Sequence, residues 1–231
     1  MMHKYFAWNG IRSTAYGVFV SEQPPIMQPN ERITFEDIAG KAGSLAITEG
    51  EKVYEDVNLT VKCWAKPDGD VLGFLRHIRG AGRIEFANRP EGYYKGRLSN
   101  NVELKRFKKS DVREFTLTFR CEPYIYTKSN EKIILEEAGV VTNHFNEKAL
   151  PVIDVAGYGD IALYVNGEMV MLTGIPGEIT LNSAIEEAYS GKTSMNNHMS
   201  GEFPALAPGA NVIYWVGNVS SLTITPNWRM T

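Results

Sequence analysis

Scarcity marks this 231-residue chain first: it has two cysteines, Cys63 and Cys121, and four histidines, His3, His77, His144 and His198. None of the six stands at metal-ligand spacing from another, so no metal site is expected. No run approaches the roughly 18 apolar residues of a membrane span. The start, Met1-Met2-His3-Lys4-Tyr5-Phe6, lacks a charged region followed by a long apolar one, so no secretory signal is read. The cysteines occupy alternating strand positions and are expected as buried free thiols, in a protein made in a reducing cytosol. G-x-S-x-G, H-E-x-x-H and P-loop patterns are missing. Gly80-Ala81-Gly82 follows a predicted helix instead of preceding one, so it cannot seat a phosphate and reads as a chain stop. Carboxylates abound, but a glycosidase pair meets only in space, and Glu186-Glu187 would point apart on a strand. No catalytic residue and no cofactor is expected, and the chain is not read as an enzyme.

Basic residues are scarce in one half. The formal net charge of −3 excludes a dedicated nucleic-acid binder, which needs a basic stripe. Residues 1–128 carry 20 Lys+Arg against 16 Asp+Glu, residues 129–148 carry 2 against 4, and residues 149–231 carry 2 against 7. Halves of opposite sign suggest two domains that meet different surroundings.

What is present is β patterning. With 43% apolar and 22% charged residues the chain is globular and ordered. Trp8-Asn9-Gly10 joins two short strands, and 23–30, with Pro24, Pro25 and Pro29, reads as an extended loop. The organising stretch is 31–65. Ile33, Phe35 and Ile38 stand among Thr34, Glu36 and Asp37, then Gly40-Lys41-Ala42-Gly43 turns into a run over 44–48. Val57, Leu59, Val61, Cys63 and Ala65 then alternate with polar neighbours. A period of two predicts one buried and one wet face, a sheet that packs on one side and meets something on the other.

An Asp70 cap, apolar residues at helical spacing from Val71 to Ile78, basic Arg76 and Arg79, and Gly80 predict one helix over 70–79. Strand patterning returns at 83–87, 93–98, 102–107 and 113–121. A polar linker is read at 129–148. Beyond it come short strands at 161–165, 168–172, 179–181, 212–215 and 222–225, with Asn166-Gly167 as the strongest hairpin signal and 190–200 as a loop. That spacing favours a β-sandwich. Its aromatics, Tyr158, Tyr164, Tyr189, Tyr214, Trp215 and Trp228, are either core or a sugar-stacking surface, with Tyr158, Tyr164, Trp215 and Trp228 the chosen candidates. The fold class is mainly β with one helix in the first domain: domain 1–128, linker 129–148, sandwich 149–231.

The opening Phe6-x-Trp8-Asn9-Gly10-Ile11-x-Ser13-x-x-Tyr16-Gly17-Val18 resembles the start of the phage distal tail (Dit) proteins. So do Gly40-Lys41-Ala42-Gly43, though the family more often shows Arg-Asp between the glycines, and Gly157-x-Gly159. The series closes with Gly201-x-Phe203-Pro204-x-Leu206-x-Pro208-Gly209-x-Asn211-x-Ile213 and Pro226-x-Trp228. The resemblance implies a structural virion protein of the tail tip or baseplate: a ring, typically hexameric, formed by the first domain and stacked on the tail tube protein. The second domain would be a peripheral galectin-like or carbohydrate-module-like sandwich that helps carry tail-associated and receptor-binding proteins. DNA would touch the ring only in transit, no membrane partner is implied, and synthesis would be in the bacterial host cytoplasm.

Charge supplies a mechanism for that ring. Residues 31–56 hold 3 basic and 7 acidic side chains, and residues 66–109 hold 11 basic and 5 acidic. A cyclic ring needs two different complementary patches per subunit. The acids Glu31, Glu36, Asp37, Glu49, Glu51, Glu55 and Asp56 are therefore expected to meet Arg76, Arg79 and Arg83 of the next subunit, or else to line the lumen, or simply to keep edge strands soluble. The alternative function is carbohydrate binding through the second sandwich, and a cell-wall glycoside hydrolase is a remote third.

Overall fold

The computed structural model describes residues 4–48, 50, 52–106 and 111–231, which form two compact units. The first runs to Ile125 and includes Thr231; the second is Tyr126–Met230.

In the first unit, Asn9 and Gly10 take left-handed φ values of 48° and 83°, the requirement of a type I′ turn, and join β1 (Phe6–Trp8) to β2 (Ile11–Arg12). A 3₁₀ turn over Ser13–Tyr16 leads into β3 (Val18–Glu22). There follow β4 (Ile33–Asp37), β5 (Ser44–Thr48), β6 (Val57–Ala65), α1 (Val71–His77), β7 (Ala81–Phe86), β8 (Gly92–Leu98), β9 (Lys105–Arg106) and β10 (Arg113–Cys121). The main sheet has the order β2-β1-β7-β8-β10-β6-β3. β6 and β10 pair antiparallel from Arg113 opposite Ala65 to Cys121 opposite Val57. Every second residue of β6 is buried, as are Phe115, Leu117, Phe119 and Cys121 of β10, as the alternation requires. Helix α1 begins where Asp70 accepts from the Gly73 amide at 2.8 Å, and it drops Phe74 and Ile78 into the core. Phe6 meets Phe74 at 5.9 Å and Phe119 at 5.5 Å. Cys63 and Cys121 are buried free thiols, and burial pushes both up to about 12. Ala81 and Gly82 do not stop the chain. They open β7, and the strand expected at 102–107 is reduced to β9, with Phe107 outside the described residues.

The second unit holds β11 (Ile125–Thr127), which spans the boundary, then β12 (Ile133–Leu135), β13 (Gly139–Asn143), β14 (Val152–Val165), β15 (Glu168–Asn182), β16 (Glu187–Ser190), β17 (Thr193–Ser194), β18 (Met199–Ser200), β19 (Gly209–Thr225) and β20 (Arg229–Met230). Its main sheet has the order β12-β19-β14-β15-β16-β17. The segment expected as a linker at 129–148 instead carries β12 and β13, both paired with β19. The loop expected at 190–200 holds β17, a 3₁₀ turn at Asn196–His198 and β18. The short runs expected at 161–165, 168–172, 179–181, 212–215 and 222–225 are halves of three long strands. Each long strand passes through an irregular register near Gly157, Gly159 and Gly217. At Gly217 φ is 123°, and a Cβ would stand 2.6 Å from the Asp160 carbonyl, so only glycine fits. The strands thereby form two arms, 152–158 with 176–182 and 218–225, and 161–165 with 168–172 and 210–216. The buried residues of both arms share one core: Ile153, Val155, Leu181 and Ile224 from the first, Ile161, Leu163, Leu172 and Ile213 from the second.

Candidate assembly interface

Residues 31–48 and 52–54 leave the first unit's sheet as an excursion. At its base Glu31 bridges Tyr54, the Arg32 amide donates to the Val53 carbonyl at 2.8 Å, and the Glu55 amide donates to the Asn30 carbonyl at 2.8 Å. Above that base β4 and β5, among the described residues, pair only with each other, from Ile33 opposite Thr48 to Asp37 opposite Ser44. The register places Ile33, Phe35 and Ala46 on one face and Leu45 and Ile47 on the other. The expected buried face is absent: every residue of both strands is exposed, with Phe35 68% open to solvent. Period two marks a face built for burial, but here no described residue covers it. A two-stranded hairpin alone is marginal in water, and clustered exposed apolar side chains mark a contact surface.

The charged candidates divide into those already held and those left open. Asp56 accepts from Arg120 Nε at 2.7 Å, and Arg83 lies 2.8 Å from Glu85 and 4.0 Å over the Tyr93 ring. Asp37 accepts from the Ser44 hydroxyl at 2.7 Å. Glu31, Glu36, Glu55, Arg76 and Arg79 are exposed, and no ion pair joins them to another described residue. Glu36 rises from the hairpin on the face of Leu45 and Ile47, and Arg76 and Arg79 close the helix end. Glu49 and Glu51 lie outside the described residues.

Sequence reasoning missed the outer face of the main sheet. A cleft of about 620 Å³ there is lined by Lys95, Arg97, Arg120 and Asp56, among others. A second of about 510 Å³ shares Asp56 and Arg120 and adds Arg32 and Glu55, carrying the charged surface to the hairpin base. On the same sheet Phe19 and Trp64 stack at 4.7 Å, with Lys66 over Phe19 at 5.2 Å. Alternation within the strands marks which residues point outward, but which of them are neighbours depends on the register.

The four sugar-stacking candidates form no common platform. Tyr158 is 63% exposed and lies over Gly177. Tyr164 stacks on Tyr214, centroids 4.6 Å apart and rings 5° from parallel. Trp215 and Trp228 are half-buried against the core, Trp228 with Phe145 at 6.4 Å.

An exposed two-faced hairpin beside a charged sheet face is the build of a protein that works through contact surfaces. No protein-family model matches this sequence, and no curated protein matches it. Among solved structures the chain has the fold of a phage distal tail protein. It superposes on the SPP1 Dit protein, a hub adsorption apparatus protein of phages that infect Gram-positive bacteria, with a TM-score of 0.75 and 14% identity, over 98% of this chain and 99% of that one. The phage P2 baseplate in its activated conformation with Ca gives a TM-score of 0.54 at 10% identity, over 100% of this chain and 99% of that one. The same baseplate with Sr gives 0.51 at 9% identity, over 96% and 97%.

Proposed function

We propose that this protein is a structural hub of a phage tail tip: a ring, hexameric as the Dit resemblance implies, that joins the tail tube protein to the host-recognition apparatus and lets DNA pass. The observation that carries the reading is the β4–β5 hairpin, which offers apolar residues on both faces and, among the described residues, is held at its base. In a cyclic assembly each subunit meets two neighbours through unlike patches, and a two-faced hairpin supplies one of them. Glu36, with Glu31 and Glu55 at the base, faces the Arg76 and Arg79 end of the next subunit's helix. That contact fixes register and speeds assembly more than it adds affinity.

Light scattering on the purified chain, followed by negative-stain imaging, tests the ring. A Glu36→Lys, Glu55→Lys pair should weaken it. If the pair leaves the ring intact but slows DNA ejection, the acids line the lumen. A chain that stays monomeric removes the reading.

A further inference from the structure

The two arms of the second unit turn unlike outer faces to solvent. On the first arm polar residues are mixed into the outward face: Asp154 lies opposite Thr180, with Thr180 Oγ1 donating to Asp154 Oδ1 at 2.7 Å and Thr223 alongside, and Glu178 and Ser221 flank Ala156, beside the exposed Tyr158. On the second arm the central outward positions are apolar, with Ser200 and Thr142 at the margins. Tyr164 sits between Tyr214 and Met169, Ala162 between Val216 and Met171, and Val140 extends the row beyond Val212. Val216 is 64% exposed, Val140 60%, Val212 50% and Met169 46%. No lysine or arginine occurs on these stretches of β13, β14, β15, β18 and β19. The charges flanking them are acidic: Glu168 at the hairpin, Asp160 at the arm's other end, Glu202 just beyond β18 and Glu137 just ahead of β13.

We propose that this face docks a different tail protein, through a surface with an apolar centre and a lysine- or arginine-rich rim. The inference rests on the hub reading and names the surface through which the second unit would carry its cargo. Charge complementarity chooses the occupant: an uncharged apolar patch ringed by carboxylates excludes acidic surfaces and steers basic ones. A second copy of the same face would bring like rims together. A glycan is a poor fit, because a sugar needs polar groups beside the stacking ring, and the Tyr164–Tyr214 pair is flanked by Ala162, Met169, Met171, Val212 and Val216.

Two measurements on assembled tails test it. Peroxide oxidation of Met169, followed by mass spectrometry, should be slowed by about tenfold or more in tails relative to the free protein. A photo-reactive benzoyl-phenylalanine at position 216, irradiated in tails, should give adducts with a different tail protein at a segment flanked by lysine or arginine. Equal oxidation of Met169 in both states overturns the proposal. So do adducts confined to copies of this chain or to glycan. A Tyr214→Glu, Val216→Glu variant should keep the mass of the ring by light scattering while the cross-linked protein is lost from tails. Retention of that protein overturns the proposal. A failed ring reports on the hub reading and not on this face.

Discussion

Arg120 donates from Nε to Asp56 Oδ2 at 2.7 Å, and directly across the ladder from Arg120 stands Arg97. Arg120 therefore has the Asp56 carboxylate on its β6 side and the like-charged Arg97 on its β8 side, and the ion pair offsets part of that repulsion. The pair is also where the hairpin's return strand is tied to the main sheet. Asp56→Asn should cost under about 1 kcal/mol, because the two side chains are 36% and 64% exposed and water screens them. Urea unfolding measures it, and a loss above about 3 kcal/mol would show a far tighter coupling than the exposure allows.

Phe35→Ser should leave the isolated subunit's stability within about 0.5 kcal/mol of the parent, since the ring is already in water. Association should suffer instead. Burying a phenylalanine contributes roughly 2 kcal/mol, so the assembly constant per interface should fall more than tenfold. Paired denaturation and sedimentation runs separate the two effects; destabilisation without loss of assembly would place Phe35 in the subunit's own packing.

Gly82 lies beneath the indole of Trp8, and a Cβ there would come within 2.3 Å of the ring. Trp8 is 1% exposed and cannot swing aside. Gly82→Ala should cost about 1–3 kcal/mol through overpacking. Thermal unfolding checks this, and an unchanged Tm would mean that β7 shifts freely past β1.

Cys63 and Cys121 should resist an aromatic disulfide reagent at pH 8 until the protein unfolds, because burial holds both thiols neutral up to about 12. Linkage gives a second readout. In the unfolded chain a thiol ionises from its ordinary value of 9.0, while in the folded chain it keeps its proton to about 12. Above pH 9 the unfolded state binds fewer protons, so stability is full below that pH and falls as pH rises toward 12. Ser substitution at both positions should flatten that part of the curve. Rapid labelling of the folded protein would contradict the buried placement.

Local chemistry was legible where one residue type has one use. Asn9-Gly10 and Asn166-Gly167 formed the turns their φ values demand, Asp70 capped the helix, and the alternation of 113–121 became β10. The long strands of the second unit were harder to read. Gly157, Gly159, Gly174 and Gly217 stand at the irregularities and interrupt the period, so one strand looks like two. Strands β12 and β13, three and five residues long, are too short to show a period, which is why they passed for linker. Among the site residues, sequence named Tyr164 and Tyr214 as aromatics, but their stacking depends on a ladder register set by those same irregularities. The hairpin's exposure was beyond sequence for a different reason. Alternation announces that a face will be covered, and the cover can belong to another molecule.

Sedimentation velocity of the full chain across a salt series tests the account most directly. The account predicts a closed ring at low and physiological salt that dissociates as salt rises and screens the hairpin-to-helix charges. A monomer at every salt and protein concentration would contradict it.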